Sequence, residues 1–190
     1  MPGTGKRRTG GPLKPKRAAR KPKAPASKAL PKAGWPAWWL ATWFGSGLSP
    51  LAPGTAGTAA SLPLVAVLGL LLPSLGAWNP WCVVASLLLF YPAVWAATAV
   101  EAQLGRHDPG AVVVDETLGT LLTCAFVPAT AFHSPWLYVI AFFLFRLLDI
   151  WKPGLIGQSQ ALPRGWGIVV DDVLAGLLGG VILGLAWHFI

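Results

Sequence analysis

The chain has 190 residues, of which 54% are hydrophobic and only 12% charged, about half the charged share usual in a soluble domain. Its net charge of +8 invites a nucleic-acid partner, but eleven of its fifteen bases (Lys6 to Lys32) precede residue 33. The remainder holds four bases (Arg106, Arg146, Lys152, Arg164) and seven acids, a net charge of −3, which excludes an ordinary soluble globule and leaves no basic surface for nucleic acid.

Residues 1–33 are mostly Lys, Arg, Pro, Gly and Ala. Such a segment buries too little apolar surface to offset its ordering entropy and is expected to be a disordered basic tail. It lacks the apolar core of a signal peptide. Its bases suit either anionic lipid headgroups or a plain solvated extension. The rest, residues 34–190, is expected to form one membrane-embedded domain.

Trp35, Trp38, Trp39 and Trp43 follow at nearly helical spacing, which predicts a short interfacial helix with indoles at the headgroup level. Apolar runs then recur at about 58–77, 81–100, 117–132, 134–148 and 173–190. A bilayer core of ~30 Å takes about 20 helical residues to cross. The second and last runs meet this. The third and fourth are shorter and nearly abut, so they form either a tightly turned pair of spans or a partly re-entrant hairpin. The expected fold is an all-α helical bundle of about five spans, with four as the alternative.

With the tail in the cytoplasm, five spans put loops 101–116 and 146–172 on the same side. The outer turns near 77–80 and 131–135 then carry no charge, as the positive-inside rule requires. All seven acids also fall on that inner face: Glu101, Asp108, Asp115 and Glu116 in one loop, Asp149, Asp171 and Asp172 in the other. Acids this scarce, gathered beside the membrane, point to a site. Cys82 and Cys124 lie in apolar runs without ligand spacing and are expected to be buried, inert thiols.

Each cluster also has a plainer explanation. Asp115 and Glu116 suit the first turn of a helix, where they offset its dipole. Arg146, Asp149 and Lys152 are spaced i, i+3 for simple ion pairs, and Asp171 and Asp172 are expected to open the last span. Together, however, three acidic segments supply the oxygen ligands of a hard cation. Mg²⁺ fits, since it takes one or two carboxylates plus waters and phosphate oxygens. The segment Gly45–Thr58, GSGLSPLAPGTAGT, adds close backbone approach and helix-start donors for an anion, although a Gly/Ser/Pro stretch is more often a connector. It is no P-loop, because no Gly-Lys-Ser/Thr follows. The pair His107–Asp108 is placed to assist proton transfer or to stand by in a loop.

In order and spacing, GSGLSPLAPGTAGT, HDPGAVVVDETLG (107–119), FRLLDIWKP (145–153) and GIVVDDVLAG (167–176) resemble the phosphatidylglycerophosphatase A family of bacterial membrane phosphatases. The similarity spans about residues 38–180. The resemblance implies Mg²⁺-dependent hydrolysis of phosphatidylglycerol phosphate to phosphatidylglycerol and phosphate, at the cytoplasmic face of the inner membrane. It implies Asp115, Glu116, Asp149, Asp171 and Asp172 as the metal set, with Asp149, Asp171, Asp172 and Thr55 in catalysis. Gly54, Thr55, Gly57, Arg146, Lys152 and His107 would bind the substrate. The chain departs from the family pattern at Pro109, at Gly154–Ile156 and at Trp166.

Rival phosphatase chemistries lack their residues: there is no Cys-x5-Arg loop, no Asp-x-Asp pair and no Ser-Gly-His set. Water, or a hydroxyl such as Thr55, remains as the nucleophile. A small cation-coupled transporter is the alternative function, but it should carry charge near the midplane rather than at one end.

Overall fold

The structure is a computed structural model that describes residues 33–72, 75–76 and 78–189. Apart from Ala33, the expected basic tail lies outside the described residues. Those residues form helices α1 (Trp35–Ala41), α2 (Pro53–Leu71), α3 (Pro80–Leu104), α4 (Val114–Thr123), α5 (Pro135–Trp151), α6 (Leu155–Ser159) and α7 (Gly165–His188). Two 3-10 turns, Ser46–Leu48 and Ala129–His133, complete the set.

Three of these helices, α2, α3 and α7, are long and apolar enough to cross a membrane. They answer to the first, second and last apolar runs. With α5, at 17 residues and about 26 Å, they surround α4. The third run is not one helix. α4 has only ten residues, all buried, and spans about 15 Å before the chain unwinds through 124–128 into the second 3-10 turn. Non-helical backbone is tolerated at membrane depth only where protein covers it. Here the Ala125 carbonyl accepts from the Asn79 backbone N–H at 2.7 Å, and the Asn79 side chain caps α3 by accepting from Trp81 and Cys82. The third and fourth runs therefore form a buried half-helix followed by a longer returning helix.

What lets α4 sit so deep is glycine. A Cβ on Gly176 would overlap the Gly119 carbonyl, and one on Gly119 would meet the Phe145 ring. Gly180 and Gly184 lie equally close to Leu122 and Phe126, so α4 and the segment after it run alongside α7 in the same direction. In lipid, where apolar burial drives little association, such small-residue contact is a main source of helix packing. The hydroxyls of Thr120 and Thr123 return to the Glu116 and Gly119 carbonyls at 2.6 and 2.9 Å, so the half-helix buries them satisfied.

The last helix starts earlier than its apolar run. α7 begins at Gly165, not near residue 173, which sets Asp171 and Asp172 nearly two turns inside it. Neither opens or caps the span. Both are buried, at 2% and 3% exposure.

Candidate active site

One recess at an end of the bundle gathers residues from five parts of the chain. Its volume is about 200 Å³, and its walls are Pro53 and Gly54 of α2, Asp108, Gly110 and Val112 of the loop before α4, and Asp115 and Glu116 of α4. Arg146 and Asp149 of α5, with Lys152 just past its end, close one side, and Ile168, Asp171 and Asp172 of α7 the other.

Each acid is delivered by its helix. Asp115 and Glu116 stand in the first turn of α4, as expected, but the burial of that helix carries them into the interior. The carboxylates of Asp115, Glu116 and Asp172 offer oxygens that lie within 4.8 Å of one another. Asp115 Oδ1 and Glu116 Oε2 are buried without any hydrogen-bond partner.

The other two buried acids hold the bases. Arg146 Nη1 donates to Asp149 Oδ2 at 2.5 Å and stands 3.7 Å from Glu116 Oε1. Lys152 Nζ donates to Asp171 Oδ2 at 2.5 Å and lies 3.7 Å from Asp149 Oδ1. Burial on its own lowers the Lys152 pKa, but its bond to Asp171 and the charges of Asp171, Asp172 and Asp149 outweigh this and raise it to about 12. Lys152 adopts a left-handed φ of 48° at the end of α5, a conformation uncommon outside glycine and frequent at binding sites.

Five buried carboxylates face two cations, so when fully ionised they leave three uncompensated buried negative charges beside the exposed Asp108. Each such charge costs several kcal/mol without a partner. A divalent cation among Asp115, Glu116 and Asp172 would relieve this. The close grouping, the all-oxygen donors and the two orphaned oxygens fit Mg²⁺.

Gly54 closes the recess from α2. A Cβ there would lie 2.5 Å from Glu116 Oε1 and 3.0 Å from Arg146 Nη1, so only glycine lets the backbone come this near. Other residues named from the sequence fall elsewhere. Thr55 is exposed and off the recess wall. Gly57 is buried against the Val113 side chain, away from the lining. His107 is exposed and its Nδ1 lies 2.7 Å from Glu101 Oε1, so neither member of that pair lines the recess. The neighbouring Asp108 does, with Gly110, Val112, Pro53 and Ile168. The sequence groups Asp108 with the other acids of the inner face, but nothing in it says which of the two adjacent side chains of His107–Asp108 reaches the recess.

Fold and site define the chain as a helical membrane protein with a carboxylate-lined recess that also holds one Arg and one Lys. The sequence profile of the phosphatidylglycerophosphatase A family matches residues 39–187. The chain belongs to that family, and it is an enzyme, a phosphatase. It is 34% identical to the phosphatidylglycerophosphatase A of Escherichia coli K12, over 78% of this chain and 82% of that one. It is 35% identical to the Haemophilus influenzae protein of the same name, over 76% and 84%. A Bacteroides thetaiotaomicron protein named "Putative phosphatidylinositol-3-phosphatase" is 37% identical, over 77% and 91%. No solved structure matches the chain.

Proposed function

We propose that the protein hydrolyses the phosphate monoester of phosphatidylglycerol phosphate, with Mg²⁺, to give phosphatidylglycerol and inorganic phosphate. The observation that carries this reading is the division of labour in the recess. Three carboxylates group their oxygens closely, and two of them, Asp115 and Glu116, each keep a buried oxygen without a hydrogen-bond partner, while two others are engaged with the two bases of the lining. Membership of the family and the names of the two proteobacterial relatives support the substrate.

Asp115, Glu116 and Asp172 would hold Mg²⁺, which when bound supplies Lewis-acid neutralisation of phosphoryl oxygens and a lowered pKa for bound water. Arg146 and Lys152 bind the phosphate dianion and offset charge that builds on its oxygens in the transition state. Asp149 and Asp171 fix those two cations in place, so little reorganisation is needed when substrate arrives. Gly54, bare of a side chain, lets the start of α2 come close to Glu116 and Arg146. Because Thr55 lies off the recess wall, water is the nucleophile in this reading. Its oxygen bonds to phosphorus as a recess carboxylate takes the water's proton, the ester P–O bond breaks, and the same proton passes from that carboxyl group to the departing alkoxide to give the alcohol. The site lies at the cytoplasmic face of the inner membrane, the side that the distribution of basic residues favours.

The Bacteroides relative's name carries a second reading, a phosphoinositide phosphatase. One assay separates the two. Purified protein is given phosphatidylglycerol phosphate or phosphatidylinositol 3-phosphate in matched vesicles, with Mg²⁺ or with EDTA. The proposal expects phosphate release from the first, in Mg²⁺ only. Preference for the phosphoinositide would replace the substrate, and turnover undiminished in EDTA would remove the metal.

A further inference from the structure

Between α1 and the glycine of the recess lies a segment that the reaction does not use. Trp43 and Phe44 both take left-handed backbone angles, φ 43° and 57°, followed by Gly45 at 95°. Two bulky aromatic residues in that region cost of order 1–3 kcal/mol each. The turn they make throws Phe44 outward, at 65% exposure, and the chain beyond it exposes Leu48 at 64% and Leu51 at 82%. Trp35 and Trp39 are exposed on α1 just before.

The segment is tied to the recess. A Cβ on Gly47 would overlap the Ala111 carbonyl in the loop before α4. The Val113 N–H donates to the Ala41 carbonyl at 2.8 Å, and the Trp43 indole donates to the Ala60 carbonyl of α2 at 3.3 Å. Two residues after Leu51, Pro53 and Gly54 form the recess wall. No charged residue occurs between Ala33 and Val100, and eleven bases precede residue 33.

We infer that Phe44–Leu51 is a lip seated in the acyl–headgroup boundary of the leaflet on the recess side, past which an anionic lipid enters the recess laterally. Three features choose this occupant. The exposed apolar side chains of Phe44, Leu48 and Leu51 lie just before the start of α2, a candidate span. The flanking bases complement anionic headgroups, each worth about 1 kcal/mol near such a surface. The uncharged stretch also presents nothing that an acidic or basic protein partner would pair with.

The test uses full-length protein in vesicles containing anionic lipid, with a single environment-sensitive thiol dye on Leu51→Cys. The native Cys82 and Cys124 are fully buried and leave the new thiol as the reactive one. A dye on Arg106→Cys, in the exposed loop after α3, is the reference. The inference expects blue-shifted emission at position 51, quenching by brominated lipid and protection from aqueous iodide. Iodide quenching equal at both positions would overturn it. In a second arm, Leu48→Asp with Leu51→Asp should raise KM for vesicle-borne lipid phosphate roughly tenfold and leave kcat unchanged. Turnover of a short-chain, water-soluble lipid phosphate should be unaffected. An unaltered KM on vesicles would overturn lateral entry even if the dye reports lipid. The dye arm needs no turnover, so it stands apart from any failure of the proposed reaction.

Discussion

The five buried acids are not equivalent, and the way each is partnered separates their roles. Asp172 has an oxygen grouped with those of Asp115 and Glu116, whereas Asp149 and Asp171 spend theirs on Arg146 and Lys152. Loss of a metal-holding carboxylate forfeits several kcal/mol of charge stabilisation, roughly 10² to 10³ in rate. Asp115→Asn should therefore lose kcat by that factor and require more Mg²⁺ to saturate. Asp149→Asn should chiefly raise KM, because it loosens the phosphate-binding cations and leaves the metal group intact. Equal Mg²⁺ dependence in the two variants, measured by phosphate release, would contradict the assignment. Arg146→Lys is not a conservative change here. It gives up the planar fork that reaches Asp149 and faces Glu116, and should raise KM by tenfold or more. His107 makes a different prediction. Its bond to Glu101 raises the imidazole above its ordinary 6.5. A raised histidine contributes stability that is complete below pH 6.5 and fades as pH climbs through the folded value. The difference in Tm between the protein and its His107→Gln variant should thus be largest in acid and vanish in alkali. A difference constant with pH would show that the pair is not what the histidine provides.

At the scale of elements, the site exists because α4 is short, buried and pressed against the glycines of α7. A side chain on Gly176 has no space beside Gly119. Gly176→Val should cost about 1–3 kcal/mol through overpacking and displace Asp115 and Glu116. Thermal unfolding in detergent, together with the Mg²⁺ requirement, measures both effects. Preserved Tm with normal Mg²⁺ saturation would refute the role given to that contact. Much of this was hidden from the sequence, for identifiable reasons. Hydropathy reports composition but not depth, so Asp171 and Asp172 mark the edge of an apolar run although α7 begins at Gly165, six residues earlier. The run 117–132 has the composition of a span, and only the surrounding helices reveal that it is a half-helix leading into protein-covered loop. The bases of α5 were easier to read, because i, i+3 spacing on a helix is local: Arg146 meets Asp149, and Asp149 lies near Lys152. Contacts that need tertiary placement, such as Asp108 reaching the recess in place of His107, leave no local mark.

For the whole molecule, the division of charge noted at the outset has a structural counterpart. The body's net charge of −3 reflects a recess where six carboxylates, five of them buried, surround two bases, and a divalent cation with a lipid phosphate would complement it. Deleting residues 1–32 should leave kcat for a soluble short-chain substrate unchanged, whereas abolished turnover would assign the tail a part in the site. The most direct measurement of the account is phosphate release from phosphatidylglycerol phosphate as Mg²⁺ is titrated, for the protein and for Asp172→Asn side by side. The account predicts saturable, EDTA-reversible release by the protein and a loss of at least ~10²-fold in the variant. Full Mg²⁺-dependent release by Asp172→Asn would contradict it.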